Sequence, residues 1–154
     1  DPTMTGLPAF LAPDPGLNSG FMLAQVTAAA LAAETKALAT PRSIDTIPTS
    51  ANQEDHVSMA TASALRLGPM ADNLAAIVAI EALVACQAVE FHRPLRSSPA
   101  LEEALSLVRS RVPRWQTDRV LAPDIEQARA LVVDGVLGAL APLALPSRPA
   151  RSGE

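Results

Sequence analysis

Long apolar stretches, separated by short polar segments that contain proline, dominate the chain. One of them, residues 21–33, holds only two polar side chains, a Gln and a Thr. An apolar stretch of this length predicts a helix that is apolar on all sides and lies in the middle of a bundle. We expect the helix to begin after Asn18 or Ser19, either of which can cap it, and to end at Thr40 before Pro41.

A second helix is predicted after a connection with two prolines, residues 41–53. It should begin between Ser50 and Glu54, because Ser50 followed by Gln53 or Glu54 resembles a capping box. The acids Glu54 and Asp55 would then stabilise the positive end of the helix dipole. In this interpretation the acidic pair serves the helix rather than a reaction.

The second helix should continue to about Phe91, with a kink or break at Gly68-Pro69, where one backbone hydrogen bond is lost. Its most apolar part, residues 74–89, contains a Glu and a Gln. That part falls short of the roughly 20 residues that a membrane-spanning helix needs. We therefore expect a buried helix of a soluble protein and no membrane partner.

Two shorter helices complete the pattern. The first has Ser98 as its cap and Pro99 at the first helical position, and the second has Pro123 near its start. No segment has the alternation of a strand. The predicted fold class is all-α, with long, mostly apolar helices of a bundle in residues 1–145, beginning with a proline-rich segment, and a disordered tail in residues 146–154.

Composition limits the partners of this bundle. The chain is 49% hydrophobic but 3% aromatic, so small side chains that each bury little area carry the apolar share. We expect other chain, from missing sequence or from partner subunits, to cover much of that surface. A net charge of −4 without a basic cluster argues against nucleic acid as a partner.

The single cysteine, Cys86, cannot form an internal disulfide and lies in an apolar run. We expect it to be a small core hydrophobe rather than a reactive thiol. The first residues lack the basic region of a signal peptide. Together these observations predict a reduced, cytoplasmic location.

The string "TSANQEDHVSMA", residues 49–60, concentrates the candidate chemistry, because Gln, Glu, Asp and His follow one another there. It fits a solvated helix start, a metal site or part of an active site. A metal site needs converging ligands, and the only other histidine, His92, is predicted at the far end of the same helix. We therefore expect no metal.

Three strings, "TGLPAFLAPDPGLNSGFMLAQVTAAALAAETKALATP", "SIDTIPTSANQEDHVSMA" and "RVLAPDIEQARALV", follow one another along the chain. In this order they resemble the C-terminal portion of the histidine ammonia-lyases, a group of aromatic amino acid lyases that use a methylidene-imidazolone prosthetic group. The resemblance implies conversion of L-histidine to trans-urocanate and ammonia. It also implies a homotetramer whose central bundle and active sites draw on several subunits.

The resemblance also implies roles for individual residues. Glu54 matches the active-site glutamate of the family, near the prosthetic group and the imidazole of the substrate, and is the candidate catalytic residue. Met22 matches a methionine that lines the same pocket, although a buried Met also fits the bundle core, and Gln53 is a further candidate for substrate binding. We assign Asp55 and His56 structural roles, capping the helix and hydrogen-bonding the loop. The related phenylalanine lyases have Gln where Glu54 stands, which favours histidine as substrate.

Two features of the family pattern are missing from this sequence. It contains no Ala-Ser-Gly tripeptide, which the family cyclises to make the prosthetic group, and no tyrosine. The prosthetic group would therefore be formed outside this chain, in a missing N-terminal part of the parent, and the chain alone should be inactive. The alternatives are a truncated, non-catalytic oligomerisation module, or a lyase or aminomutase of the same family acting on another aromatic amino acid.

Overall fold

Helix α4, Leu67–Phe91, lies at the centre of the computed structural model, which describes residues 2–140. The other helices are α1 (Pro2–Thr5), α2 (Met22–Leu38), α3 (Ala60–Leu65), α5 (Pro99–Arg111) and α6 (Ala122–Val133), with 3-10 turns at Ala9–Leu11 and Gly138–Leu140. Over the described range the extended pairings are isolated bridges and no strand forms. The all-α prediction is confirmed, whereas the predicted boundary at 145 and the tail 146–154 lie outside the described residues.

The core forms where α4 packs against α2 and α6. Ala24, Ala79 and Ala128 are buried there, and side chains of this size allow close approach of helices. Larger buried residues complete the core: Phe21, Ile80, Leu83, Val108, Val112, Trp115 and Leu131. Cys86 belongs to the same cluster, as expected, and burial raises the pKa of its thiol.

The start of α2 differs from the prediction. The helix begins at Met22, after Phe21, and neither Asn18 nor Ser19 caps it. The Asn18 side chain instead accepts a hydrogen bond from the distant backbone N–H of Asp118. The end is as predicted, since α2 stops at Leu38, just ahead of the Thr-Pro pair.

The predicted start of the second helix is wrong. Ser50, Ala51 and Asn52 have φ values of 53°, 54° and 67°, a left-handed conformation that a right-handed helix cannot include. They form a turn, and the helical segment begins only at Ala60. Consequently the acids of this stretch do not lie at a helix N-terminus, and the dipole and capping-box interpretations fail.

The predicted break near Gly68-Pro69 is confirmed. Helices α3 and α4 meet at Arg66, which separates Leu65 from Leu67. A proline at position 69 cannot donate to the carbonyl of residue 65, and its ring crowds that carbonyl. Pro69 therefore sits in the first turn of α4, where its missing N–H costs nothing.

The apolar helical segment is longer than the sequence pattern suggested. Residues 60–91, which span α3 and α4, are long and apolar enough to cross a membrane; their most apolar 18-residue window has a mean hydropathy of 1.9, and 28% of that window is buried. Core helices of soluble proteins can have the same length and composition. The absence of a membrane partner stays a prediction.

Helix α2 does not occupy the interior of a bundle within this chain. Ala24 is its one buried residue, while Leu23 and Val26 are 62% and 54% exposed. On α4, Leu74 is 59% exposed. The described residues alone therefore leave a broad apolar surface on these two helices.

The two shorter helices form where the sequence predicts them. The Ser98 side chain accepts a hydrogen bond from the Leu101 N–H at 3.4 Å, and Pro99 stands in the first turn of α5. Pro123 likewise stands in the first turn of α6. A side-chain cap and a proline in the first turn start α5, whereas α6 starts with a proline in the first turn and no side-chain cap.

An ion pair links the loop before α5 to the first turn of that helix. Arg93 donates to both carboxylate oxygens of Glu102 at 2.8 Å, and the Ser97 N–H donates to one of them at 2.8 Å. The hydrogen bond from Arg93, followed by that from Ser97, lowers the pKa of Glu102 from 4.5 to about 2. The carboxylate thus favours the folded state above pH 4.5, and this contribution is lost as the pH falls toward 2.

We expect Glu102→Gln to reduce the acid sensitivity of the chain. Without the ionisable carboxylate, the free energy of unfolding should fall less between pH 4.5 and pH 2 than in the unsubstituted chain. Urea unfolding at a series of pH values, followed by circular dichroism, measures the difference. Glu103→Gln, at an exposed position on the same helix, is the control, and equal pH profiles for Glu102→Gln and the unsubstituted chain would contradict the assignment.

Candidate functional site

The loop between α2 and α3 presents Glu54 on a closed turn. Backbone hydrogen bonds join Thr49 and Glu54 in both directions, at 2.9 Å and 3.3 Å. Outside this pair, the Thr46 hydroxyl accepts from the Val57 N–H at 3.0 Å and donates to the Val57 carbonyl at 3.3 Å. The two layers of hydrogen bonds hold an otherwise exposed segment in one shape.

The Glu54 side chain is exposed and has one close partner on its own turn. The Thr49 hydroxyl donates to Glu54 Oε2 at 2.6 Å. A carboxylate can accept several hydrogen bonds, so Oε1 can receive a donor from a ligand while Oε2 remains held. The arrangement suits recognition of an N–H group or acceptance of a proton.

Met22 lies at a different place, at the first position of α2. It lines an apolar cavity of about 490 Å³ between the N-terminal segment, α2 and α4. The other lining residues are Thr5, Leu7, Pro8, Phe10, Leu11, Phe21, Gln25, Val84 and Ala88. Met22 is 38% exposed, so it is a cavity-wall residue rather than a member of the closed core.

Gln53, Asp55 and His56 are exposed on the loop that carries Glu54. The Gln53 N–H donates to the Ser50 carbonyl at 3.1 Å as part of the turn. None of the three side chains lines the Met22 cavity. The candidate residues predicted from the sequence therefore form two groups, one on the loop and one at the cavity.

A cluster that sequence inspection did not identify fixes the segment before Met22. The Asp118 carboxylate accepts hydrogen bonds from the N–H groups of Ser19 and Gly20 at 2.8 Å and 3.0 Å. In return, the Asn18 side-chain oxygen accepts from the Asp118 N–H at 3.0 Å. Gly20 has φ +53°, and a Cβ there would lie 2.5 Å from the Phe10 carbonyl oxygen. The close approach and the positive φ require glycine.

Gln87 on α4 is fully buried, and its side chain hydrogen-bonds to the N-terminal segment and to the loop after α5. Its amide nitrogen donates to the carbonyls of Leu11 and Trp115 at 3.2 Å and 3.0 Å, and its oxygen accepts from the Trp115 N–H at 3.1 Å. The sequence feature that could have identified Gln87 is a single amide side chain within the apolar run "ALVACQAV", because a buried polar group needs hydrogen-bond partners. The sequence gives no hint of which partners these are.

The described part of the chain offers no set of side chains that could bind a metal ion. Across residues 2–140, no group of three or more His, Cys, Asp or Glu side chains is placed to hold a metal ion. The described site thus offers the exposed Glu54 carboxylate, with Asp55 beside it on the loop, one apolar cavity and a hydrogen-bonded support for the cavity wall.

Comparison with known proteins identifies relatives of this chain. Residues 1–110 match the family model of the aromatic amino acid lyases. Histidine ammonia-lyase of Rhodospirillum rubrum is 59% identical over 145 residues, which cover 94% of this chain and 28% of that relative. The chain therefore spans little more than a quarter of the length of this curated relative.

Solved structures share the fold. The crystal structure of histidine ammonia-lyase from Trypanosoma cruzi superimposes with a TM-score of 0.86 at 47% identity, covering 91% of this chain and 28% of that one. Tyrosine aminomutase from Streptomyces globisporus matches with a TM-score of 0.80 at 38% identity, covering 88% and 26%. The family model covers well over half of the residues, so the chain belongs to the aromatic amino acid lyase family.

Proposed function

We propose that this chain is the C-terminal helical part of a histidine ammonia-lyase, an enzyme that converts L-histidine to trans-urocanate and ammonia. The observation that carries the proposal is the exposed Glu54 carboxylate, held by Thr49 on a closed turn with one oxygen available. The identity of 59% to a histidine ammonia-lyase supports the same substrate. A carboxylate at this position suits a substrate ring that has an N–H donor.

Glu54 would accept a hydrogen bond from the substrate imidazole or take up a proton during the reaction. A charge-assisted hydrogen bond is about twice as strong as a neutral one, so the ionised carboxylate would fix the ring orientation. Met22 would contribute a flexible, polarisable wall for a flat ring, and Gln53 would support substrate binding beside Glu54. Because the loop and the cavity are separate in this chain, the complete pocket would combine them through assembly.

The methylidene-imidazolone group would supply the electrophile that takes up the substrate amine. The side chains of this chain fit such a group supplied from outside, because Glu54 is exposed and Met22 is partly exposed at a cavity wall. The residues described here would bind and orient the ring and hold or move a proton at the Glu54 carboxylate. The missing N-terminal part of the parent would contain the tripeptide.

The exposed apolar surface of α2 and α4 supports a homotetrameric assembly. Leu23, Val26 and Leu74 are more than half exposed, which leaves apolar area that a central bundle of helices from several subunits would bury. A cytoplasmic location is part of the same proposal, since the single cysteine suits a reducing compartment. The proposal includes neither a nucleic acid nor a membrane as a partner.

Incubation of the protein that carries this chain with L-histidine, L-tyrosine and L-phenylalanine tests the proposal. We expect release of ammonia from L-histidine, with growth of the urocanate absorbance band, and no activity of the isolated 154-residue chain. Conversion of an α-amino acid to its β-isomer would instead indicate an aminomutase, an alternative that the similarity to tyrosine aminomutase from Streptomyces globisporus supports. Inertness toward all three, with stable assembly, would indicate a non-catalytic oligomerisation module.

A further inference from the structure

Asp118 lies on the loop between α5 and α6 and holds the turn that leads into α2. Two successive residues of this turn, Ser19 and Gly20, donate their backbone N–H groups to its carboxylate at 2.8 Å and 3.0 Å. Helix α2 begins directly afterwards, with Met22 as its first residue. Hydrogen bonds to a carboxylate are about twice as strong as those to a neutral acceptor, so one side chain fixes two consecutive peptide groups.

The residues that follow the turn transmit its position to the helix. Phe21 is buried, donates its N–H to the Phe10 carbonyl at 2.9 Å and places its ring centroid 5.6 Å from that of Trp115. The Met22 N–H donates to the Ser19 carbonyl at 3.2 Å. Each peptide N–H from position 19 to position 22 thus has a partner, and the direction in which α2 leaves the turn is fixed with them.

The loop that carries Asp118 is held in its own right. The neighbouring Arg119 lies over the Trp115 ring, with 4.6 Å between its guanidinium carbon and the ring centroid. It also donates to the carbonyls of Pro113 and Arg114, at 2.9 Å and 3.3 Å. The Asp118 carboxylate is therefore presented to the turn from a loop that is itself fixed by hydrogen bonds and ring contacts.

The start of α2 forms one wall of the Met22 cavity. Phe21, Met22 and Gln25 line the cavity from this part of the chain, whereas Asp118 does not line it. A shift of the turn would move these three side chains together relative to the N-terminal segment and α4. The wall would change its shape without losing any lining residue.

We propose that Asp118 is a positioning residue for substrate binding, because its carboxylate sets the place of the Met22 side chain in the cavity wall. It acts through Met22 and does not touch the substrate. The inference rests on the proposed function, in which the flat ring of an amino acid substrate packs against this wall.

The test is the effect of Asp118→Ala on the kinetics of the protein that carries this chain. KM for L-histidine should rise about tenfold, whereas kcat should change by less than about twofold. A wall that contacts the ring equally in the ground state and in the transition state contributes uniform binding, and its loss is seen in KM. A merely structural role would lower the fraction of folded enzyme, which reduces kcat and leaves KM unchanged.

A double-mutant cycle shows whether Asp118 acts through Met22. Met22→Ala alone should also raise KM. Adding Asp118→Ala to it should raise KM by less than about a further twofold, because the side chain that the carboxylate places is already absent. Full additivity of the two substitutions would overturn the proposal.

Glu102→Ala is the matched control. The Glu102 carboxylate also accepts a backbone N–H across a loop, that of Ser97 at 2.8 Å, and neither residue lines the Met22 cavity. Its loss should lower the melting temperature at unchanged KM, and a rise in KM equal to that of Asp118→Ala would overturn the proposal. If Asp118→Ala does not fold, Asp118→Asn, which keeps one acceptor oxygen, takes its place, and its KM must exceed that of the unsubstituted protein.

The outcomes separate this inference from the proposed function. Turnover of L-histidine with an unchanged KM in Asp118→Ala would overturn the positioning role and leave the function in place. If the unsubstituted protein consumes L-tyrosine or L-phenylalanine instead, histidine is the wrong substrate, and the same comparison of KM with that amino acid decides the role of Asp118. Inertness toward all three would overturn both proposals.

Discussion

Replacement of Glu54 with Gln should lower L-histidine deamination by about 100-fold or more in the protein that carries this chain. Glutamine keeps the size of the side chain and the hydrogen bond from the Thr49 hydroxyl, but it removes the charge. Thermal unfolding should hardly change, because Glu54 is exposed and surface substitutions typically shift stability by no more than about 0.5 kcal/mol. Kinetics with L-histidine, together with a melting curve, measure both effects.

The size of the loss separates two roles of the carboxylate. Loss of a charge-assisted hydrogen bond that only orients the ring costs about 1.5–3 kcal/mol, which corresponds to roughly 10- to 100-fold. Loss of a group that also transfers a proton adds a further factor of about 10²–10⁴. Asp55→Asn, at the neighbouring exposed acid, is the control, and retained activity together with a lower melting temperature in Glu54→Gln would assign Glu54 a structural role instead.

Replacement of Gln87 with Leu should destabilise the chain by about 3 kcal/mol or more. The substitution keeps the volume close to that of Gln, but it leaves three backbone groups of Leu11 and Trp115 without their partner. Each unsatisfied buried group costs about 1–3 kcal/mol. Urea unfolding of the chain, followed by circular dichroism, gives the difference in free energy.

Gln127→Leu is the matched control, because Gln127 is exposed on α6 and the same chemical change there should cost no more than about 0.5 kcal/mol. Hydrogen exchange of the Trp115 amide gives a local measurement, and its protection should fall in Gln87→Leu. A cost for Gln87→Leu as small as that of the control would mean that water satisfies the freed backbone groups.

The sequence predicted the parts of the fold that depend on local chemistry. Ser98 and Pro99 start α5, Pro123 starts α6, and the break between α3 and α4 follows from Pro69, each through interactions within a few residues. The same reasoning failed for the stretch that follows Ser50. There a capping-box pattern occurs in residues whose backbone adopts a left-handed turn closed by Thr49 and Glu54, and sequence spacing does not distinguish the two arrangements.

The residues of the candidate site also fall into those that the sequence identified and those that only the structure revealed. Resemblance to the family singled out Glu54, Met22 and Gln53 from short strings. It did not single out Asp118 or Gln87, which hold the segment before Met22 through hydrogen bonds that span 99 and 76 residues of the chain. Such contacts depend on the packing of α4 and of the loop before α6, so no local pattern contains them.

The sequence by itself determined the helical character of the chain, the ends of helices set by proline and serine, its membership of a lyase family and the choice of Glu54 as a candidate. Only the tertiary structure decided that Glu54 lies on a closed loop, that Met22 lines a separate cavity and that α2 remains largely exposed. The physical reason is the separation along the chain over which each interaction acts. Helix propensity and capping act over one turn, whereas burial and buried hydrogen bonds join residues that are distant in sequence and are decided by the packing of whole helices.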